Sequence, residues 1–396
     1  MGSDELLIRF KPQLRYDSQE AFFADSAEEM TANPGNQLRR ASGEVLAEGD
    51  ELALRLLGYP TYANGTSVEV GDVLGVQGKD YRTQYTRLRA ARLDLRNRMY
   101  GHAATDREGR LWLQYWLWYF YNDYHLAADF GLHEGDWEMV QLRMRGEEPD
   151  IALYAQHAYA EMRAWSDVRK TDDGRPVVYP GRGSHASYFE PGLYETEGWY
   201  DIADGKRPAP ELELEIVSDE GPSWVLWPGF WGDTKAHFLL DEDSPRGPSQ
   251  HDQWGNPATL LGKAVTRPPQ MPPIAPEVSV RREHGMLRID FDFSGRPGPG
   301  EPVKLIATVN SEDEHGVPPK TFTFDIGGVE RGHFATRFAL NPEHRYDVYT
   351  SVTSRVNGKE VPSASHCTPI APGVASKIPD WLKRPLWWLV RRLNPR

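Results

Sequence analysis

The segment His133-Glu134-Gly135-Asp136-Trp137-Glu138 gathers imidazole and carboxylate side chains into six residues. Asp136 and Glu138 are two positions apart, the period of a β-strand, so a strand here presents both carboxylates on one face. The turn Gly146-Glu147-Glu148-Pro149 lies between two strand-like runs, Trp137 to Met144 and Ile151 to His157. If Arg145 and Asp150 close that turn as a four-residue loop, Glu138 stands opposite His157, close enough for one divalent ion to bridge them. A glycine-rich loop, Gly181-Arg182-Gly183-Ser184-His185, follows the strand-like run Pro176 to Tyr179 and can deliver His185 into the same crowded place. The candidate metal ligands are therefore Asp136, Glu138, His133, His157 and His185. Carboxylates with imidazoles suit Mg, Ca, Mn or Zn, and their spacing does not rank those ions. A metal with an open coordination position, with Glu134 or His185 as general base, would also be enough parts to activate water.

Each of these residues has a plainer use. An isolated Asp-x-Glu more often caps a turn or pairs with arginine, and a lone histidine beside a strand is more often a satisfied structural residue. Five such residues expected in one place favour a site. The Gly181 loop lacks the Gly-Lys-Ser/Thr ending of a phosphate-cradling loop, and Ser184 lacks the flanking glycines of a nucleophile elbow.

The elements that must position these groups are mostly strands. The run LWLQYWLWYFY from Leu111 to Tyr121 is dense in aromatic bulk and too short to span a membrane, which predicts a central, buried strand with Trp112, Trp116 and Trp118 in the core. Glu51 to Lys79 reads as short strands broken by glycines, and Tyr81 to Tyr100 has helical spacing. At 396 residues the chain exceeds one ordinary core. The proline-dense stretch 267–276 predicts a linker between a domain over 1–266 and a small β-sandwich over 277–371. The fold class is therefore mainly β: an N-terminal β-sandwich with peripheral helices and long loops, a second small sandwich, and an amphipathic helix at the C-terminus.

That last element, 376–396, carries Lys377, Lys383, Arg384, Arg391, Arg392 and Arg396 against the single acid Asp380, with leucines at helical spacing. Such a basic amphipathic segment suits a membrane surface or a protein partner. The net charge of -13 argues against a nucleic-acid partner. One cysteine, Cys367, rules out a disulfide framework within the chain, and the first twenty residues lack the apolar core of a signal peptide. A cytoplasmic, peripherally membrane-associated protein is expected, with export by a dedicated machine left open.

The quoted motifs resemble a known family. Tyr115 to Tyr121, the HEGDWE segment, VVYPGRGSHASYFEPG at Val177 to Gly192, GFWG at Gly229 to Gly232 and SPRGPSQHDQWGNP at Ser244 to Pro257 resemble the vacuolar protein sorting-associated protein 62 family, over residues 14–262. Pro180 departs from that pattern, where an alanine-like residue is usual before the Gly-Ser-His turn. GLHEGDWE is also similar to the GHRHDWE segment of the necrosis- and ethylene-inducing-peptide-like cytolysins. That resemblance implies a β-sandwich whose divalent cation, Mg or Ca, holds a sphingolipid sugar headgroup at a membrane. It maps onto Asp136 and Glu138 directly, and onto His133 approximately because Gly135 is an extra residue. The run YDVYTSVTSRVNGKEVPSAS is similar to the last hairpin of a fibronectin type III domain, a kind of domain that is mostly a spacer or a docking surface for a protein partner.

Three functions follow as expectations. The first is divalent-cation-dependent recognition of a lipid or glycan headgroup at a membrane surface, with membrane perturbation as its extension. The second is a metal-dependent hydrolase of a phosphate or glycosidic ester, and the third is a non-catalytic scaffold whose polar cluster only staples loops.

Overall fold

A computed structural model describes the chain except residues 79, 125–131, 196–199, 234–243, 267–277, 284, 294–300, 312–319, 328, 330, 337–338, 357, 364–365 and 373–396. The expected linker over 267–276 and the tail over 376–396 lie outside the described residues. Two compact units divide between Gln270 and Met271.

The first unit is organised by a six-stranded sheet in the order Glu213–Ile216, Arg98–Thr105, Leu111–Asn122, His133–Arg145, Glu148–Gln156, Tyr159–Ala164. Its first pair is parallel and the rest are antiparallel. Both faces are covered, which is why Leu111 to Tyr121 reads as an apolar run broken only by the buried Gln114 rather than as an alternation. On one face, Trp112, Trp116, Trp118 and Trp137 pack with Trp224, Trp227 and Trp231 from the later loops. On the other, Leu113, Tyr115, Leu117, Tyr119, Val140 and Leu142 pack against Leu6, Leu7, Leu14 and Val178. Leu14 and Val178 belong to a second sheet ordered Ser187–Tyr188, Val177–Pro180, Gln13–Tyr16, Arg207–Pro208. The tryptophans are therefore core, not ligand platform. Each removes roughly 150–250 Å² from water, a gross gain of about 4–6 kcal/mol.

One helix fixes the site's surroundings. Asp80 caps Tyr81–Ala91 by accepting the Thr83 N–H at 3.3 Å. Tyr81, Tyr85 and Leu88, at positions i, i+4 and i+7, bury the same stripe into the tryptophan-rich core. Helix gives way to strand earlier than Tyr100, because Arg98–Thr105 is drawn into the large sheet. Over 51–78 the expected strands reduce to Val73–Gly75, and Leu54–Leu56 forms a 3₁₀ turn instead. Leu52, Leu54 and Leu57 bury into the tryptophan-rich core at spacings that no strand alternation provides.

Glu29 starts the short helix Glu29–Ala32 and is fully buried. Burial, reinforced by the neighbouring Asp25 charge, pushes its carboxyl well above the ordinary value, and Arg89 and Arg96 offset this only in part. An acid held neutral in this way gives stability that is complete below its unfolded value of 4.5 and is lost as pH rises toward the folded one. Glu29→Gln removes the ionisation, so its melting temperature should rise above the parent's by a margin that grows from mildly acidic to alkaline pH. A margin that shrinks over that range in thermal scans would contradict this account.

In the second unit, Val278–Glu283, Met286–Asp292 and Arg331–Ala335 form one sheet, and Glu301–Ser311, Lys320–Asp325, Tyr346–Val356, Lys359–Pro362 and His366–Ile370 form another. Val280, Ile289, Leu305 and Val348 join the two across one core. The mainly β reading therefore holds in both units. Among the described residues no helix is long and apolar enough to cross a membrane.

Candidate functional site

The strands Leu111–Asn122 and His133–Arg145 pair so that Leu117 faces Glu138, Tyr119 faces Asp136 and Tyr121 faces Glu134. Along His133–Arg145, Val140, Leu142 and Met144 point into the second core, while Trp137 and Met139 point into the tryptophan-rich one. By that alternation Asp136 and Glu138 share the second face, as their spacing predicts. Glu134 does not join them. Gly135 adopts φ 63°, and a Cβ there would lie 2.0 Å from the Trp231 carbonyl oxygen and 2.4 Å from the Trp118 ring. This kink sends the Glu134 carboxylate toward the tryptophan-rich side, where it accepts the Val76 N–H at 2.8 Å, the Asp233 N–H at 2.9 Å and the Tyr81 hydroxyl at 2.8 Å. Burial pushes its pKa up to about 7 despite the two backbone donors. Glu134 is thus a staple for three segments, which corrects its assignment as a base beside Asp136.

The glycine-rich loop brings His185 against Asp136. The loop after Val177–Pro180 closes through Gly181 N–H to the Ala186 carbonyl at 2.8 Å and His185 N–H to the Gly181 carbonyl at 2.9 Å. Gly183, at φ 72°, passes so near Asp123 that a Cβ would sit 2.3 Å from its carbonyl oxygen. The imidazole is fully buried and stacks on Tyr119, ring centres 3.8 Å apart and 2° from parallel. Its Nδ1 lies 2.8 Å from Asp136 Oδ2, and its Nε2 lies 3.6 Å from Glu20 Oε1. Burial pushes the His185 pKa down, but Glu20 and Asp136 outweigh it and raise it to about 9. Burial pushes the Glu20 carboxyl up, but the His185 charge and contact together with the backbone donors outweigh it and hold Glu20 below the ordinary carboxylate range. It also accepts backbone N–H groups from Gly183, Ala21 and Phe22. The result is an imidazolium clamped between two carboxylates.

His133 stays at the edge of this group. Its Nδ1 lies 2.6 Å from the Gly135 carbonyl, its Nε2 lies 3.2 Å from the Asn122 amide, and Nε2 is 3.9 Å from Asp136 Oδ1.

His157 goes elsewhere. The expected four-residue turn is a two-residue turn, with Arg145 paired to Glu148 and a bulge after Arg143, so that Val140 faces Tyr154. Continued along the strand, that register brings Gln156 rather than His157 level with Glu138. A slip of one residue sends a side chain to the opposite face. His157 instead occupies the next turn at φ 54°, with Nε2 2.7 Å from Asp201 Oδ2. Tyr188 donates its hydroxyl to the same oxygen. Asp201 is fully buried, and the His157 charge holds it below the ordinary range against that burial. Five ligands in one sphere are therefore not assembled. Among the described residues no three His, Cys, Asp or Glu side chains group as a cation would require.

Glu20 and Asp201 were not expected from sequence. Each meets its histidine from a distant segment, and neither stands in a distinctive local pattern.

No family model and no curated protein matches the chain. The resemblances to the vacuolar protein sorting-associated protein 62 family and to fibronectin type III domains thus remain resemblances of sequence. Among solved structures, Necrosis and Ethylene inducing Protein 2 from the causal agent of cocoa's Witches Broom disease is similar at 12% identity and TM-score 0.32, covering 66% of this chain and 91% of that one. NLPPya in complex with glucosamine is similar at 11% identity and TM-score 0.28, covering 54% of this chain and 72% of that one. A structure described as a myokine covers 26% of this chain and 97% of its own, at 10% identity and TM-score 0.20. At scores this low, the reading of the site rests on its own residues.

Proposed function

We propose that the chain is a recognition module that binds a lipid or glycan headgroup at the Asp136 end of its central strands, with a divalent cation held by Asp136 and Glu138. The observation that supports this reading is the preparation of Asp136. Its Oδ2 is fixed by the buried His185, which is itself stacked on Tyr119, while Oδ1 turns toward the His133 ring. A carboxylate locked in one rotamer loses little further freedom on binding. The donor set fits a hard ion. Two carboxylates on one strand face supply oxygen, and His185, with Nδ1 engaged by Asp136, has no lone pair to offer there while protonated. Mg or Ca is favoured over Mn or Zn on that ground. A bound ion would present open coordination positions to hydroxyl or phosphate oxygens.

The hydrolase alternative loses both of its named bases to other duties, Glu134 to the loops and His185 to the clamp. The scaffold alternative keeps one favourable observation, since Glu20 and Asp136 already flank the His185 ring from both sides, at 3.6 and 2.8 Å.

Cation titration separates these readings. Calcium or magnesium at about a hundred times its Kd should stabilise the parent by roughly 2.7 kcal/mol. The shift should vanish in Asp136→Asn and in Glu138→Gln. Headgroup-bearing vesicles should then bind the parent in a cation-dependent manner. If none of the four ions moves the melting temperature, the scaffold reading replaces this one.

A further inference from the structure

A cavity of about 490 Å³ opens beside the parallel edge of the large sheet, bordered by Leu54, Arg98, Glu215 and Trp224. Its size falls within the roughly 300–1,000 Å³ usual for small-molecule sites. It borders the tryptophan-rich core, on the sheet face opposite Asp136. Its aromatic groups stand at two depths. Trp224 is buried at 3% exposure, and Tyr59 stands at 53% on the protein surface.

The charges around it are nearly balanced. Arg98 reaches Glu215 at 3.1 Å and Glu213 at 3.0 Å, and Arg92 ties the lining residues Glu28 and Asp94 at 3.1 and 2.7 Å. Apart from the exposed Arg55 at its rim, a charged ligand therefore meets carboxylates and guanidiniums already matched with one another, and would have to displace those pairs. Hydrogen-bonding capacity remains. Each carboxylate can accept about four bonds, so one ion pair leaves room for hydroxyl donors. The Arg98 Nε is buried with no hydrogen-bond partner, an unmet donor at the cavity. Aromatic faces with closely spaced donors and acceptors of low net charge match a ring with an apolar C–H face and many hydroxyls.

We propose that this cavity is a second binding site, for a neutral sugar ring, separate from the Asp136 end and independent of the function assigned to it. The ring stacks on Tyr59 over a floor closed by the buried Trp224, and its hydroxyls bond to Glu215 and Arg98.

Saturation-transfer NMR on the full chain tests this with the methyl glycosides of glucose, galactose, mannose and N-acetylglucosamine. A second arm compares phosphatidylcholine vesicles with and without a neutral glycolipid. At least one sugar should receive saturation, most strongly at its ring C–H protons. Tyr59→Ala and Glu215→Gln should each weaken binding by about tenfold, equivalent to roughly 1.4 kcal/mol. Both arms are run with a chelator present, which silences the cation-dependent Asp136 end, so any sugar bound there and any sugar bound in this cavity give separate results. Binding to the glycosides alone assigns a soluble source for the sugar, and binding to the glycolipid vesicles assigns a membrane source. The proposal is overturned if no sugar binds in either arm, or if binding survives both the Tyr59 and the Glu215 substitutions.

Discussion

Gly135→Ala is expected to destabilise the first unit by about 2–5 kcal/mol, combining left-handed backbone strain with overpacking. The φ of 63° disfavours any side chain, and the space for a Cβ is taken by the Trp231 carbonyl oxygen at 2.0 Å and the Trp118 ring at 2.4 Å. One of those obstacles is backbone, so no rotamer change clears it. The neighbourhood cannot yield cheaply either, because Trp118 and Trp231 pack on each other and on Trp137. Gly146→Ala supplies the control. Gly146 has φ 69° in the adjacent hairpin turn but no atom within 4 Å of its Cβ position, so it reports the backbone strain alone. Urea denaturation of both variants should place Gly135→Ala well below Gly146→Ala. Equal losses would mean that the kink before Asp136 is not held by packing.

This glycine also marks the limit of what the sequence discloses. The same-face placement of Asp136 and Glu138 was legible, because strand parity depends only on spacing two residues apart. Leu111–Asn122 was legible as a central strand because both its faces are covered. Glu134 was misplaced, since its parity matches that of Asp136 until a left-handed residue intervenes. Nothing in the letter G at 135 separates a kink from an ordinary flexible position. His157 was misplaced by one residue of hairpin register. Glu148 and Pro149 look like turn residues, yet they pair with Arg145 and Met144 around a bulge. The buried partners of the two histidines, Glu20 and Asp201, come from chain segments 163 residues before Gly183 and 44 residues after His157, where no local periodicity connects them. Local pattern thus gave strands and faces, while the pairing of charges was decided by tertiary approach.

His185 carries the other large expected effect, on stability and on the Asp136 end together. Its pKa of about 9 in the fold stands above the ordinary 6.5. Protonation therefore stabilises the native state fully below 6.5, and this contribution is lost as pH rises through about 9. A displacement of that size is worth on the order of 3 kcal/mol. His185→Gln should cost roughly 3–5 kcal/mol at neutral pH, because it leaves the Glu20 and Asp136 carboxylates buried without their shared cation. The parent should lose stability between neutral and alkaline pH by more than the variant does, since the variant has no imidazolium left to titrate. Adding Glu20→Gln to His185→Gln should recover part of the loss, as one of the stranded charges is removed with its partner. Urea midpoints for the parent, the single variant and the double variant, each measured at neutral and at alkaline pH, settle the matter. If parent and His185→Gln lose stability in parallel as pH rises, the imidazole is neutral in the fold and does not clamp Asp136 by charge. If the slopes differ, Asp136 owes its fixed rotamer to a charged neighbour. Cation binding by the parent should then strengthen over the same alkaline window in which His185 loses its proton, because the imidazolium 2.8 Å from Asp136 competes with a bound cation for that carboxylate.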